Sequence, residues 1–577
     1  MRNASKIYLI LMIMFFLSLT SLESFAMPPH PDLEDKIKSG EAAVPKHLLS
    51  PRFAQDTGID QPSMHPISET YPLGTGPVGN FNVLVLLVDF SDNPSGVNAS
   101  FFDTLMFENQ FGCVRHYYQQ VSYGVLDIVT VDLPSVTGWQ TAPQTYAYYV
   151  DGQYGTDGDY PNNCQKLVED LVDLADPLVD FSQYDNDSDG YVDALVVVHA
   201  GPGAELTGDP NDIWSHKWGV TWSWSTSNLK DGVQIWDYSM QPEYWLSYYD
   251  MTCGVYCHEL GHVFGLPDFY DTDYTSYGIG DWSLMAGGSW NGYLGNSPAY
   301  PDAWCLARLG YVTPTVVASD TSGVQIPAIE NTPAAYKLWT NGSPLNEYFL
   351  VANRRQTGYD AALPHEGLLI WHVDENIGDY GANNNEWYPG HTTFGHYKVA
   401  LEQADGLWEL ESTVPFGAVT YLNDPYPGTS DNRAFNGSSV PNSQSYAETE
   451  TYVAVENISN SADTMTCDFF VSPADVGEEL TENSPAGYTL GQNYPNPFNP
   501  YTEIEYSLYR GGHVRLEIFN LLGQKIQTLV DQEQKRGIYR AIWDGTNHQG
   551  RVVSNGIYFY QLSTDAFEIS NKMILLK

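Results

Sequence analysis

Apolar positions predict strands and helices in alternation over the first half of the chain. The segments 82–90 and 194–199 are almost continuously apolar, which is typical of strands that are buried on both faces. Between them, residues 167–174 carry apolar side chains at helical spacing, and 302–309 indicates a later helix. This order of elements predicts a mixed α/β domain over residues 76–315.

The pattern changes after residue 315 to short alternating runs that are separated by turn residues. Segments 348–351 and 367–374 are examples, and the lack of long helical periods predicts a β-rich domain over 316–475. Alternation with closely spaced turns returns near the end of the chain. It predicts a small β-sandwich over 488–577, joined by a linker at 476–487.

The first residues have the pattern of a secretion signal. Arg2 and Lys6 precede an apolar run at 7–19, and small residues follow at 24–26, which predicts a signal peptide over 1–26 rather than a membrane anchor. We find no later stretch that is long and apolar enough to span a bilayer. We therefore expect a secreted or cell-surface protein without a transmembrane segment.

Residues 27–75 are rich in proline and charge and lack the apolar period of a core element. This composition fits a propeptide that covers a site and is then removed, or a disordered leader. Because the segment contains no cysteine, a thiolate cannot be its means of blocking a metal ion.

Charge separates the end of the chain from the rest. The whole chain has 25 Lys and Arg against 71 Asp and Glu, a net charge of -46, which argues against nucleic acid and anionic lipid as partners. Such acidity favours calcium binding or simply solubility in a salty medium. Residues 488–577, in contrast, hold nine Lys and Arg against eight Asp and Glu, which indicates a separate module.

The cysteines number six, an even count that permits up to three disulfides in an exported chain. Two of them, Cys253 and Cys257, lie just before a candidate metal motif. We expect one of these two to form a disulfide that steadies the motif.

The strongest chemical signal is the stretch from His258 to Asp268. On a helix, His258 and His262 lie one turn apart on the same face, with Glu259 beside them. Gly265 can adopt the left-handed conformation that ends a helix, so the chain should turn there and bring Asp268 back towards a shared ion. Three ligands would leave the fourth position of a zinc ion open for water.

Met285 follows this motif and precedes a glycine pair. It is either ordinary core filler or the methionine that lies beneath a metal site, and the upstream motif favours the second interpretation.

An acidic loop precedes the second predicted strand. Carboxylates at alternate positions and a glycine for the turn predict a calcium loop, in which a backbone carbonyl also takes part. The alternative is a solvated acidic turn. A helix does not follow, so the loop is not an EF-hand. The expected ligands are Asp185, Asp187, Asp189, Asp193 and the Tyr191 carbonyl.

The zinc motif and several flanking segments resemble the immune inhibitor A family of secreted bacterial metallopeptidases, within the metzincin group. The resemblance covers about 27–473 and implies that His258, His262 and Asp268 bind zinc and that Glu259 is the general base. The third ligand departs from the commoner all-histidine metzincin pattern. Further matching segments are 83–90, 114–118, 121–124 and 358–364.

Residues 493–577 resemble the C-terminal sorting domain of the type IX secretion pathway. The matching segments include 493–500, 543–545 and 556–560. The resemblance implies recognition by outer-membrane secretion machinery, whereas the alternative is a plain accessory β-sandwich.

Together these patterns predict a multidomain chain: an α/β (α+β) metzincin-like zinc protease domain, a β-rich domain and a small C-terminal β-sandwich. The predicted function is a secreted zinc endopeptidase that is made as a proenzyme and hydrolyses peptide bonds of extracellular proteins, with a structural calcium ion. The alternatives are a non-catalytic, calcium-stabilised surface adhesion or binding protein with a relic metal site, and a hydrolase of non-peptide amides.

Overall fold

The structure is a computed structural model that divides into two compact units. The first comprises Met1–Trp339 and Pro344–Val471, and the second Thr340–Ser343 and Ser472–Lys577. The predicted signal peptide, linker and residues 47–73 of the predicted propeptide lie outside the described residues. These are 27–43, 46, 74, 76–221, 224, 228–343, 346–379, 381–389, 395–411, 423–472, 489–508, 512–534, 537–549, 551–564 and 568–576.

The helices and strands of the first unit begin with an N-terminal helix and continue in mixed order to residue 316. The helices are α1 (Pro31–Lys38), α2 (Ser100–Phe107), α3 (Val114–Val121), α4 (Pro134–Thr137), α5 (Tyr146–Val150), α6 (Cys164–Ala175), α7 (Ala204–Thr207), α8 (Cys253–Val263) and α9 (Ala303–Arg308). The strands are β1 (Gly79–Asn82), β2 (Leu84–Asp89), β3 (Leu126–Val129), β4 (Trp139–Thr141), β5 (Leu195–Pro202), β6 (His216–Gly219), β7 (Leu229–Lys230), β8 (Val233–Gln234), β9 (Asp237–Tyr244) and β10 (Thr315–Val316).

A five-stranded sheet in the order β4-β2-β5-β9-β6 forms the centre of this region. Its first four strands are parallel neighbours, and β6 pairs antiparallel with β9 at one edge. Along β2, Val85 and Leu87 belong to one hydrophobic cluster, whereas Leu84 and Leu86 belong to another. Both faces of the sheet are therefore covered, which explains the continuous apolar run in the sequence.

The two faces of the sheet are covered by different helices. Leu167 and Leu171 of α6 belong to one cluster, and Val255 and Leu260 of α8 belong to the other. The helix that carries the metal motif thus packs in the layer opposite α6, and all of its residues are buried.

The β-rich region contributes two further sheets to the first unit. One has the order β10-β12-β13-β14-β15 and the other the order β11-β17-β16. Their remaining strands are β11 (Thr321–Pro327), β12 (Tyr336–Leu338), β13 (Glu347–Arg354), β14 (Gly367–Asp374), β15 (Val399–Leu401), β16 (Ala454–Glu456) and β17 (Thr464–Phe470).

Strands β13 and β14 are buried on both faces. Leu350 and Trp371 lie in the same hydrophobic cluster as helix α8, whereas Phe349 and Ile370 pack with residues of the second sheet. A single core therefore continues across residue 315, and the domain boundary that we placed there stays a prediction.

The second unit contains two sheets around one hydrophobic cluster. Their orders are β18-β19-β22 and β21-β20-β23-β24. Val514, Leu516 and Ile518, which alternate in the sequence, are all fully buried in the cluster. The strands are β18 (Thr489–Leu490), β19 (Thr502–Leu508), β20 (Gly512–Asn520), β21 (Lys525–Gln534), β22 (Gly537–Trp543), β23 (Gly556–Ser563) and β24 (Glu568–Leu575).

The prediction of a disulfide at Cys253 or Cys257 is wrong for this structure. All six cysteines have free thiols and are buried, including Cys253 and Cys257. These two residues lie one turn apart on α8 and belong to the cluster that packs the helix against the sheet. They therefore act as small apolar core side chains rather than as a covalent link.

Candidate metal centre

Helix α8 ends as the glycine in the motif predicts. Gly265 has φ +85°, and its N–H donates to the His262 carbonyl at 2.9 Å. The Leu266 N–H then donates to the Gly261 carbonyl at 3.0 Å. These bonds complete the last helical turn and reverse the chain, which brings Asp268 back to the histidine face.

Three ligand atoms converge at this point. His258 Nε2 and His262 Nε2 lie 3.1 Å apart, and Asp268 Oδ1 lies 3.3 Å from the first and 3.4 Å from the second. In a tetrahedral site with ligands about 2.0–2.1 Å from zinc, neighbouring ligand atoms are about 3.3–3.4 Å apart. The triangle therefore has the dimensions of one face of a tetrahedral zinc site.

Backbone carbonyls fix the protonation of both imidazoles. His258 Nδ1 lies 2.9 Å from the Leu284 carbonyl, and His262 Nδ1 lies 2.8 Å from the Leu266 carbonyl. Because carbonyl oxygens only accept hydrogen bonds, each Nδ1 carries the proton and each Nε2 presents a lone pair. Two lone pairs that face each other and a carboxylate repel, and a cation between them removes this repulsion.

Burial and neighbouring charges act in opposite directions on the pKa values of His262 and Asp268. Burial lowers the pKa of His262, which favours the neutral imidazole that metals bind. Burial opposes ionisation of Asp268, but the two histidines outweigh it and lower the pKa of that carboxyl. The anionic form of Asp268 is therefore favoured, as a carboxylate ligand requires.

Glu259 and Met285 complete the predicted group. Glu259 follows His258 on α8 and is fully buried. A Cβ at Gly261 would lie 2.7 Å from Met285 Sδ, so the thioether packs directly against the helix between the two histidines. The absence of a side chain at Gly261 thus permits the close approach of Met285.

The acidic loop brings together some of its predicted ligands. Carboxylate oxygens of Asp185, Asp187 and Asp193 lie within 4.8 Å of one another. Asp189 is not in this group, and its Oδ1 accepts the Tyr191 N–H at 2.8 Å. Burial raises the pKa of Asp193 to about 7, with the charges of Asp187 and Asp189 adding to the effect.

Tyr274, on the loop after Asp268, was not identified from the sequence because it is one of 41 tyrosines. It has φ +61° and is 8% exposed, and its hydroxyl forms no hydrogen bond with any described residue. Burial raises its pKa well above the usual value, and the charges of Glu34 and Asp268 add to this. The phenol is therefore a neutral hydroxyl near the third ligand.

Two other histidines in the region have structural surroundings. The His216 ring contacts the Trp214 carbonyl at 2.7 Å and the Tyr238 hydroxyl at 3.2 Å. His199 is buried next to the Ala200 carbonyl, and burial lowers its pKa to about 4. Neither histidine belongs to the three-residue metal group.

The segment that we predicted as a propeptide packs near the same loops. The indole N–H groups of Trp214 and Trp290 donate to the carbonyls of Met27 and Pro28, both at 2.9 Å. The ammonium group of Lys38 donates to the Ser276 carbonyl at 2.9 Å. The segment thus extends from residues next to edge strand β6 to the loop that follows Asp268.

Within the described part of the chain, helices that could cross a bilayer are absent.

Comparisons with known proteins identify a peptidase catalytic domain that contains His258, His262 and Asp268. Residues 97–306 match the family described as immune inhibitor A peptidase M6, catalytic domain, and residues 492–576 match the secretion system C-terminal sorting domain. Both resemblances that we identified in the sequence are therefore confirmed. The sorting domain also confirms a secreted or cell-surface location.

Two curated relatives are similar over part of the chain. Immune inhibitor A of Bacillus thuringiensis subsp. alesti is 33% identical over 274 residues, which are 39% of this chain and 38% of that protein. Pre-pro-metalloprotease PrtV of Vibrio cholerae serotype O1 (strain M66-2) is 29% identical over 328 residues, 47% of this chain and 34% of that protein. The chain therefore spans little more than a third of the length of either relative.

Solved structures give only weak similarity. OgpA from Akkermansia muciniphila is 10% identical, with a TM-score of 0.23 over 88% of this chain and 96% of that one. A likeness at this level carries no argument about the fold.

Proposed function

Because the chain carries a peptidase M6 catalytic domain of the immune inhibitor A type and a secretion sorting domain, we propose that it is a zinc-dependent endopeptidase, made as a proenzyme, that cleaves extracellular proteins. The observation that carries this proposal is the triangle of His258, His262 and Asp268, whose edges match a tetrahedral zinc site. Glu259, which directly follows His258 on α8, supplies the carboxylate that would act as the general base.

Bound by His258, His262 and Asp268, zinc would supply a Lewis acid that acidifies water and polarises a peptide carbonyl. Glu259 would accept a proton from the attacking water and deliver it to the leaving amine. The Leu284 and Leu266 carbonyls hold the two imidazoles in the orientation that binding requires. Replacing Glu259 by Gln while zinc is retained tests this assignment directly.

The finer fold assignments belong to the same proposal. The five-stranded sheet with one antiparallel edge strand, and the methionine packed beneath the motif helix, support a metzincin-like catalytic domain over about 76–315. The two sheets around one cluster in the second unit support a β-sandwich over 488–577. We propose that this β-sandwich is the part that outer-membrane secretion machinery recognises.

The packing of residues 27–43 against the first unit supports the proposal that the chain is a proenzyme. Leu33 and Ile37 of helix α1 are 3% and 8% exposed and belong to the cluster that contains α8. Lys38 pairs with Glu34 at 2.8 Å and lies 3.0 Å from the centre of the Tyr277 ring. A segment with such contacts on the loop after Asp268 would restrict access to the metal centre.

We expect Leu33→Asp to activate the unprocessed chain. Burial of a leucine contributes about 1.5–3 kcal/mol, so its loss would shift the equilibrium for release of the segment by about 10- to 150-fold. The initial rate of casein hydrolysis should rise accordingly, with mass spectrometry confirming that the N-terminal segment is uncut. Lys36→Asp, at an exposed position of the same helix, should leave the rate unchanged. Equal rates for both variants would contradict the role of the segment.

The acidic loop is our candidate for a structural calcium site. The three carboxylates that converge, Asp185, Asp187 and Asp193, support oxygen coordination of a hard cation. Asp189 and the Tyr191 carbonyl stay predicted ligands, although the Asp189 carboxylate is bonded to a backbone N–H within the loop.

Asp187→Asn should reduce the stabilisation that calcium gives to the zinc-loaded chain. A ligand at about 100 times its Kd stabilises a protein by ~2.7 kcal/mol, which raises Tm by several degrees. Thermal unfolding with and without calcium should show a smaller rise for Asp187→Asn than for the parent and for Asp431→Asn, which changes an exposed acid outside the loop. If calcium leaves the Tm of the parent unchanged, the loop has no structural calcium ion.

A further inference from the structure

Three acidic residues outside the metal centre and the acidic loop meet in the β-rich region. One carboxylate oxygen each from Asp405, Glu409 and Asp424 lies within 4.8 Å of the others. Asp424 is 1% exposed and Glu409 is 7% exposed, so water does not solvate this group freely. The sequence gives little sign of it, because 15 positions separate Glu409 from Asp424.

One oxygen of the Asp424 carboxylate is buried without a hydrogen-bond donor among the described residues. Its Oδ2 accepts the Trp282 indole N–H at 3.3 Å, but its Oδ1 is buried and accepts no hydrogen bond from any described residue. Among the described residues, Asp424 also forms no ion pair. A buried carboxylate in such a group requires a cation or a proton.

We propose that Asp405, Glu409 and Asp424 bind a calcium ion. Calcium takes oxygen ligands at about 2.3–2.6 Å, so two ligands on opposite sides of the ion are at most about 5 Å apart. The spread of the three oxygens lies within this limit. The all-carboxylate donor set differs from the imidazole-containing zinc group and favours a hard cation.

This calcium site would stabilise the segment that orients the zinc ligands. Asp424 binds the side chain of Trp282, and the carbonyl of nearby Leu284 accepts the His258 Nδ1 proton at 2.9 Å. The Tyr277 N–H also donates to the Leu410 carbonyl at 2.9 Å, directly after Glu409. A cation bound by Asp405, Glu409 and Asp424 would therefore hold residues 405–410 against the segment from Tyr277 to Met285.

The test is terbium luminescence of the full-length, zinc-loaded chain, excited through tryptophan. Terbium replaces calcium at oxygen sites, and the Trp282 indole contacts Asp424, so energy transfer should be efficient here. We expect sensitised emission that calcium abolishes and magnesium does not. Asp424→Asn should remove most of this emission and lower the bound calcium by about one ion per chain, with zinc content unchanged.

Control variants separate this site from the acidic loop. Asp187→Asn should keep the tryptophan-sensitised emission, and Asp431→Asn, at an exposed acid of the same region, should behave as the parent. Asp405→Asn, at a less buried ligand, serves as the second test if Asp424→Asn does not fold. The proposal is overturned if the parent shows no such emission, or if a folded ligand variant keeps the calcium content of the parent. Because no step measures peptide cleavage, this result is independent of the proposed protease activity.

Discussion

Glu259→Gln should abolish detectable casein hydrolysis by the processed chain while zinc stays bound. The amide has nearly the shape of the carboxylate but cannot accept the water proton, and general acid–base catalysis contributes typically 10²–10⁴-fold to the rate. Cleavage of a fluorogenic peptide and metal analysis of the same sample measure both expectations. The zinc content should match the parent because His258, His262 and Asp268 are unchanged.

Glu259→Asp is the matched control for this prediction. It keeps the carboxylate but shortens the side chain by one methylene, so it should retain more activity than the Gln variant. A Gln variant that cleaves at the parental rate would refute the assigned base. A processed, zinc-loaded parent that cleaves no peptide would instead favour the non-catalytic binding protein that the sequence left open.

Arg354→Met should lower the free energy of unfolding of the first unit by about 3–5 kcal/mol, because it leaves a buried carboxylate without its cation. Arg354 is 2% exposed, and its Nε and Nη2 donate to the two oxygens of Asp360 at 2.6 and 2.7 Å. Burial and the neighbouring Asp360 raise the pKa of Glu330 to about 9, which favours the protonated form of Glu330 at neutral pH.

Denaturant unfolding followed by circular dichroism measures this loss. Arg355→Met is the control, because the Arg355 side chain is 20% exposed and pairs with Glu366, which is 25% exposed. Partly exposed pairs are worth about 1 kcal/mol or less. An equal loss of unfolding free energy in both variants would show that the buried pair contributes no more to stability than the partly exposed one.

The parts of the fold and site that the sequence predicted well are those set by local spacing. The strand at 84–89 and the helix at 253–263 follow from an apolar run and from a motif with one-turn spacing. Gly265 adopts the positive φ that its position in the motif predicts. In each case the neighbours that decide the conformation are only a few residues away.

The parts that the sequence could not predict depend on distant contacts. The Leu284 carbonyl orients His258 across 26 positions, and nothing in the sequence pattern marks that oxygen. Trp282 and Asp424 are 142 positions apart, so the acidic group in the β-rich region appears only after folding. In the acidic loop the spacing of the carboxylates predicted the convergence of Asp185, Asp187 and Asp193, whereas Asp189, whose carboxylate accepts the Tyr191 N–H, stays a predicted ligand.

The six buried, free thiols have a consequence for how the folded chain responds to reducing agents. The described residues contain no disulfide, so an external reductant has no covalent bridge to break. The packing of the first unit should therefore be the same in oxidising and in reducing media.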